Sequence, residues 1–387
     1  MAKTPALRAF FLTLLASLGA VYGFNATFST SAPPLDVTAR FAAEQTETDV
    51  IVSDNTLYQR GWTRARLVRP PTAEQPCADL VVLGSSATGT LASEMFPGRR
   101  MLNGWHGNFS VQDMESYTAI LEAAPCKPKD IIVGVDIFWS SNASWKFEGW
   151  QQLASDYAAY HAAHGGFAAY VPVQVRWDEY KENLGFERTI DTLRSAPIRG
   201  FRTDAIGRAG LRRVALEPLE RLCESVAPRE QNLRAWDGHY LKCPASEMSE
   251  SGIVRYATDY LATNTHNMAD WHELDTSRLE RIERVIAAWR KLGFGVAMVG
   301  IPYHPITWKL LTTDPVIAPN IRELEQRLER LSQSTGAAYV SLRDPSTAPC
   351  TADEFEDSHH PRAICTQRVA AKALAALEAK RAAPAAP

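Results

Sequence analysis

Two hydrophobic rhythms alternate along this chain. Ala78–Leu83 is a mostly apolar run of strand length, and Met101–Asn103 reads as a short second strand. Val111–Ala123 places Met114, Tyr117, Ile120 and Leu121 on one helical face. In Asp130–Ile137 the apolar residues Ile131, Ile132, Val133 and Val135 crowd together, the pattern of a strand covered on both faces. Thr276–Leu292 is strongly periodic through Leu279, Ile282, Val285, Ile286 and Trp289, and Gly293 and Gly295 end it. Phe294–Ile301 then reads as a strand, Asn320–Ser334 as a helix, Ala338–Leu342 as a fifth strand and Gln367–Lys380 as an alanine-rich closing helix. Strand alternating with helix predicts an α/β protein: three α/β/α layers around a parallel, flavodoxin-like five-stranded sheet.

The rhythm breaks in three places. Residues 25–76 are rich in Thr, Ser, Pro and charge and show little periodicity, so they read as a stalk and lead-in segment. Residues from about 140 to 270 hold many aromatics, among them Trp145, Trp150, Tyr157, Tyr160 and Trp177. They read as a helical insertion over one end of the sheet, with a helix at Gly149–Ala163. The α/β domain would then run from 77 to 381, and the Ala/Pro tail 382–387 reads as disordered.

Residues 1–24 carry Lys3 and Arg8 before an uncharged apolar run, Ala9–Phe24. This is the pattern of a signal peptide or a membrane anchor. We read it as an anchor with its N-terminus inside, which places the bulk of the chain in the periplasm or outside the cell. The six cysteines fit such a compartment and include no C-x-x-C pair. The sequence does not fix their pairing; the expected pairs are Cys77 with Cys126, Cys223 with Cys243, and Cys350 with Cys365. At 45% apolar, 22% charged and net charge −3, the chain has the makings of a sizeable core. The absence of a basic block argues against a nucleic-acid partner.

In open parallel sheets the working site lies beyond the C-terminal strand ends. The polar clusters gather there: Ser85 and Ser86 after the first strand, Gly104–Gly107 after the second, Asp136–Asn142 after the third, Pro302–Pro305 after the fourth and Asp357–Pro361 after the last. A serine hydroxyl needs a base within hydrogen-bond reach, and the base needs an orienting acid. Ser86, His360 and Asp357 supply these three roles, with His359 as the alternative base. Each also has a plainer reading: the serines could cap a helix, and Asp357 could do the same. His106, His304, His359, His360 and Asp136 lack the spacing of metal ligands, so neither a metal nor a cofactor is expected.

Taken together, Leu83-Gly84-Ser85-Ser86, Asn103-Gly104-Trp105-His106-Gly107-Asn108, the run Ile132–Trp139 and Asp357-Ser358-His359-His360-Pro361 resemble the blocks of the SGNH (GDSL-type) hydrolase superfamily. The likeness is to its membrane-anchored periplasmic members that acylate cell-surface polymers. It covers about residues 78–142 and 274–380. The resemblance implies Ser86 as nucleophile, His360 as base, Asp357 as orienting acid, and the Gly107 and Ser86 N–H groups as oxyanion donors. The family's third block carries an asparagine that Gly134-Val135-Asp136 lacks, and Asn142 is the candidate substitute. Trp105 and His304 are expected to contact substrate. The implied activity is transfer or removal of an acyl group, acetyl foremost, on an extracytoplasmic polysaccharide or an acylated small molecule. The implied partners are the inner membrane and a membrane-bound acyl donor protein. Two other readings stay open: a non-catalytic carbohydrate-binding or assembly component, and a thioesterase acting on a carrier-bound acyl group.

Overall fold

The computed structural model describes residues 5–28, 35–53, 56, 58–72, 76–141, 149–165, 210–226, 232–243 and 248–382, with scattered positions between 173 and 193. Its centre is a five-stranded, all-parallel sheet made of β2 (Leu80–Leu83), β3 (Met101–Asn103), β4 (Asp130–Gly134), β8 (Gly295–Gly300) and β9 (Ala338–Ser341). The spatial order is β3-β2-β4-β8-β9, which is the flavodoxin-like order. Alternate residues feed opposite faces. Val81, Leu83, Ile131, Val133, Val296 and Met298 join a core under the helices Val111–Ala123, Thr276–Lys291 and Ile317–Thr335. Leu80, Val82, Ile132, Ala297 and Val299 join a second core under Ala363–Ala382. The sandwich therefore has the expected three layers.

Element boundaries shift by a few residues. The third strand stops at Gly134, and Ile137–Ser140 turns into a 3-10 helix. The helix expected at Gly149–Ala163 is a 3-10 segment to Leu153 followed by an α-helix from Ala154 to His164. The helix expected from Asn320 begins at Ile317.

A larger difference concerns residues 25–76. The segment read as a stalk contributes the helix Leu35–Ala43, strand β1 (Asp49–Ser53) and the helix Gln59–Val68. Val50, Ile51, Val52 and Trp62 are fully buried. Polar side chains hide its apolar period, and those side chains are themselves buried against partners. The Trp62 indole donates to Gln45 Oε1 at 2.9 Å. Arg60 grips Asp113 with two bonds, at 2.6 and 2.9 Å, and both side chains are buried. A buried pair of this kind is tolerated only with such geometry.

Strand β1 also organises a second sheet. It pairs antiparallel with β5 (Arg212–Ala215) and β6 (Asn232–Arg234), and β6 continues to β7 (Tyr240–Leu241). The insertion is thus helical at Ala154–His164, Leu219–Ser225 and Glu250–Thr258, and supplies three strands besides. Val50, Val52, Leu222, Val226 and Leu233 make a small core of their own there.

The N-terminal helix, Pro5–Phe28, has an apolar window from Ala9 to Ala26 that is 6% buried. By length and composition it can cross a membrane. Cys77–Cys126, Cys223–Cys243 and Cys350–Cys365 are disulfides, the three expected pairs. Together they point to an oxidising, extracytoplasmic compartment. Cys350–Cys365 spans 15 residues and encloses Asp357–His360. Closing a loop of that size is worth about 3 kcal/mol by chain entropy. Replacing both cysteines by serine is expected to lower unfolding free energy by about 2–4 kcal/mol. It should also speed amide exchange across 351–364, as denaturant titration and hydrogen exchange would read.

Candidate active site

The site begins with a backbone constraint at the end of β2. Gly84 has φ +153°, and a Cβ there would stand 2.9 Å from the Thr88 side chain and 3.3 Å from the Gly134 nitrogen. Only glycine lets the chain turn so tightly against its neighbour. Ser85 then caps the 3-10 turn Ser86–Thr88, its Oγ accepting from the Ala87 N–H at 3.3 Å. The capping role thus falls to Ser85. Ser86, one residue on, meets His360 Nε2 with its Oγ at 2.7 Å.

His360 is held from behind. Its Nδ1 lies 2.6 Å from Asp357 Oδ2, so Nδ1–H donates and Nε2 is left as the acceptor for the serine proton. Asp357 Oδ1 accepts the backbone N–H groups of His359 and His360 at 2.9 and 3.0 Å. The loop is fixed at several points. Glu356 N–H donates to the His360 carbonyl at 2.8 Å, and His304 N–H to the Ser358 carbonyl at 3.1 Å. Thr90 Oγ1 donates to the Pro361 carbonyl at 3.2 Å, tying the serine segment directly to the histidine loop. The structure therefore brings Ser86, His360 and Asp357 into a hydrogen-bonded row. His359 lies alongside, its ring centroid 3.9 Å from that of His360 and its Nδ1 2.9 Å from the Ser358 hydroxyl.

The other expected site residues fare differently. Gly107 is not an open donor, because its N–H is given to Gln59 Oε1 at 3.2 Å. The same holds along the whole loop. The N–H groups of Asn103, Gly104, Trp105 and His106 go to the Asp237 carbonyl, the Val82 carbonyl, Asn103 Oδ1 and the Gly84 carbonyl. Gln59 belongs to the segment read as a stalk, so no local signal announced this. Asn142 lies outside the described residues. The Ser86 N–H is the first of its 3-10 turn and so has no partner inside that turn.

Trp105 is buried, donates its indole N–H to the Gly238 carbonyl at 2.9 Å and meets Tyr240 edge-on. His304 is also buried, and its Nδ1 caps the helix Pro305–Thr313 by accepting from Ile306 N–H at 3.2 Å. Its part is to hold the histidine loop.

Sequence reasoning missed two neighbours. His266, within the insertion, stacks on Phe138 at 4.6 Å and meets the His359 ring edge-on at 4.7 Å. It sits in a left-handed stretch, with Asn264, His266 and Asn267 all at positive φ. That is an uncommon conformation for residues with side chains, and one that clusters at functional sites. Lys242 pairs with Glu356 at 2.6 Å, so the residue after β7 closes the other side of the triad.

Charge is unevenly distributed here. Burial pushes the His360 imidazole down, but the Asp357 carboxylate outweighs this by charge and hydrogen bond, and the net shift is up. Burial pushes Asp357 up, yet the His360 and His359 charges and the hydrogen bonds carry it far below the carboxylate range. Burial takes His266 down to about 4, with His360 adding to the effect, and takes His359 down as well. Asp357, His359 and His360 offer ligand-type atoms within 4.8 Å of one another. A cavity lined by Arg66, Leu67, Arg100 and Trp236 opens by the N-terminal strand ends, at the opposite edge of the sheet from Ser86.

Neither the protein-family models nor the curated proteins contain a match to this chain. What the fold and site define is a flavodoxin-like α/β protein with a Ser-His-Asp row at its strand ends.

The geometry sets a measurable titration. The His360 imidazole is expected to lose its proton above pH 6.5 in a histidine-resolved NMR titration. Asp357→Asn should move that midpoint below 6.5, since burial then acts without its counter-charge.

Proposed function

We propose that this chain is a serine-dependent acyltransferase or esterase of the SGNH type, anchored to the inner membrane and working in the periplasm. The observation that carries the reading is the Ser86 Oγ to His360 Nε2 distance of 2.7 Å, backed by Asp357 at 2.6 Å, between groups 274 residues apart in sequence. A serine that merely capped a helix would have no need of a base.

In the proposed reaction Ser86 attacks the carbonyl carbon of an acyl donor while His360 takes its proton. Asp357 holds the imidazole tautomer and stabilises the cation that forms. The Ser86 N–H faces the oxyanion, and collapse expels the donor's leaving group, protonated by His360. The acyl-enzyme then passes its acyl group, acetyl foremost, to a polysaccharide hydroxyl or to water, with His360 again accepting the proton. A membrane-bound protein would supply the acyl group, and the apolar N-terminal helix would keep the site at that surface. The loss of the Gly107 N–H to Gln59 favours slow turnover, since one missing oxyanion donor costs roughly 100- to 1000-fold. The same observation keeps a glycan-binding or assembly role as the second reading.

The deciding experiment is fluorophosphonate labelling of the full-length chain in detergent, followed by peptide mass mapping. Labelling is expected on Ser86, to vanish in Ser86→Ala, and to fall by at least about 1000-fold in His360→Ala. A folded chain that takes no label would overturn the enzymatic reading and direct the search to glycan ligands.

A further inference from the structure

One carboxyl group beside the triad has no part in the chemistry so far. β2 and β4 run parallel with Leu83 opposite Val133. Ser86 and Asp136 each lie three residues past that pair, so register alone brings them to the same edge of the sheet. The turns that carry them touch: a Cβ on Gly84 or on Gly134 would strike the Thr88 side chain. Asp136 is 6% exposed, and its Oδ2 has no hydrogen-bond partner among the described residues. The Ser85 hydroxyl faces it, and Arg343 and His360 are the cations that act on it. Arg343 does not neutralise it directly, because its guanidinium is held by the Val135 carbonyl, Glu325 and the Tyr339 hydroxyl.

A buried carboxyl without an ion-pair partner is costly, and an apolar residue would fill the space more cheaply. Its position offers a reason. We propose that Asp136 is a positioning residue of the acyl-transfer site: it holds the Ser85 hydroxyl beside the nucleophile and adds a negative charge, besides those of Asp357 and Glu356, for the His360 imidazolium. The inference rests on the reading of Ser86 as nucleophile.

The surroundings set the sign of the effect. His360 is faced by Asp357, His359 and Glu356 of its own loop, by Lys242 after β7 and by His266 from the left-handed segment. Asp136 is faced by Ser85, Arg343, His360 and the hydroxyls of Tyr260 and Tyr303. Burial raises Asp136 to about 6, with Ser85, Arg343 and His360 pulling the other way. At the pH where His360 gives up its proton, Asp136 is therefore mostly ionised and favours the charged imidazole. Removing its charge lets that proton leave at lower pH.

The test is the rate of fluorophosphonate labelling of Ser86 against pH, in the full-length chain and in Asp136→Asn. The acid limb of Asp136→Asn is expected to move down by about one pH unit. Its plateau should fall roughly threefold or more, because a weaker base removes the serine proton less well. A merely structural role would lower the plateau and leave the midpoint in place, and that result would overturn the proposal. A wild-type chain that takes no label would instead fail the underlying serine reading. Should Asp136→Asn not fold, the wild type still decides. The His360 NMR titration should show a second inflection near pH 6 from Asp136, and a single step would sink the idea.

Discussion

The structure depends on the double burial of its central parallel sheet. Leu80, Val81, Val82 and Leu83 are all fully buried, two facing each core. A strand with no solvent face cannot carry a reactive side chain along its length, so chemistry is confined to the ends. The helices between the strands cover one face, the closing helix Ala363–Ala382 covers the other, and the strand order reverses between β2 and β4. Past that reversal the chain runs from β2 into one core, through Ala87 and Leu91, and from β4 into the other, through Ile137 and Trp139, the kind of point at which such sheets bind ligands. Ser86 sits at this point because β2 ends there.

The triad is then a problem of closing a long loop. Ser86 and His360 lie at opposite ends of the domain sequence, and only the sheet brings them together. The protein adds local restraints where the sheet's reach ends: the Cys350–Cys365 disulfide, the Thr90 bond to Pro361 and the His304 bond to Ser358. These restraints come from three different elements, so the histidine loop is positioned from several sides at once. Such over-determination is what holding Ser86 and His360 at hydrogen-bond distance requires.

Much of this was legible in the sequence, and the exceptions share one cause. The five strands, their flanking helices and the Ser86, Asp357 and His360 grouping could be read because each announces itself locally, as an apolar run, a helical period or a short motif. Residues 35–68 could not. Thr38, Gln59, Arg60 and Thr63 are polar yet buried, and the partners of Gln59 and Arg60 lie 48 and 53 residues away in sequence. Missing that segment entailed the error at Gly107, since the side chain that takes its N–H is Gln59. His266 escaped notice for a similar reason: nothing local marks a left-handed turn that folds back onto His359.

The second sheet has a consequence for how the chain is made. Strand β1 is synthesised early, but its partners β5 and β6 follow about 160 and 180 residues later. Ribosomes add roughly 5–20 residues per second, so Val50, Ile51 and Val52 wait many seconds as an unpaired apolar edge. The pairing is non-local, a feature that slows folding and leaves intermediates open to aggregation. During that interval the nascent chain is a natural client for a holdase chaperone, and its yield in a cell depends on how well this one short strand is shielded.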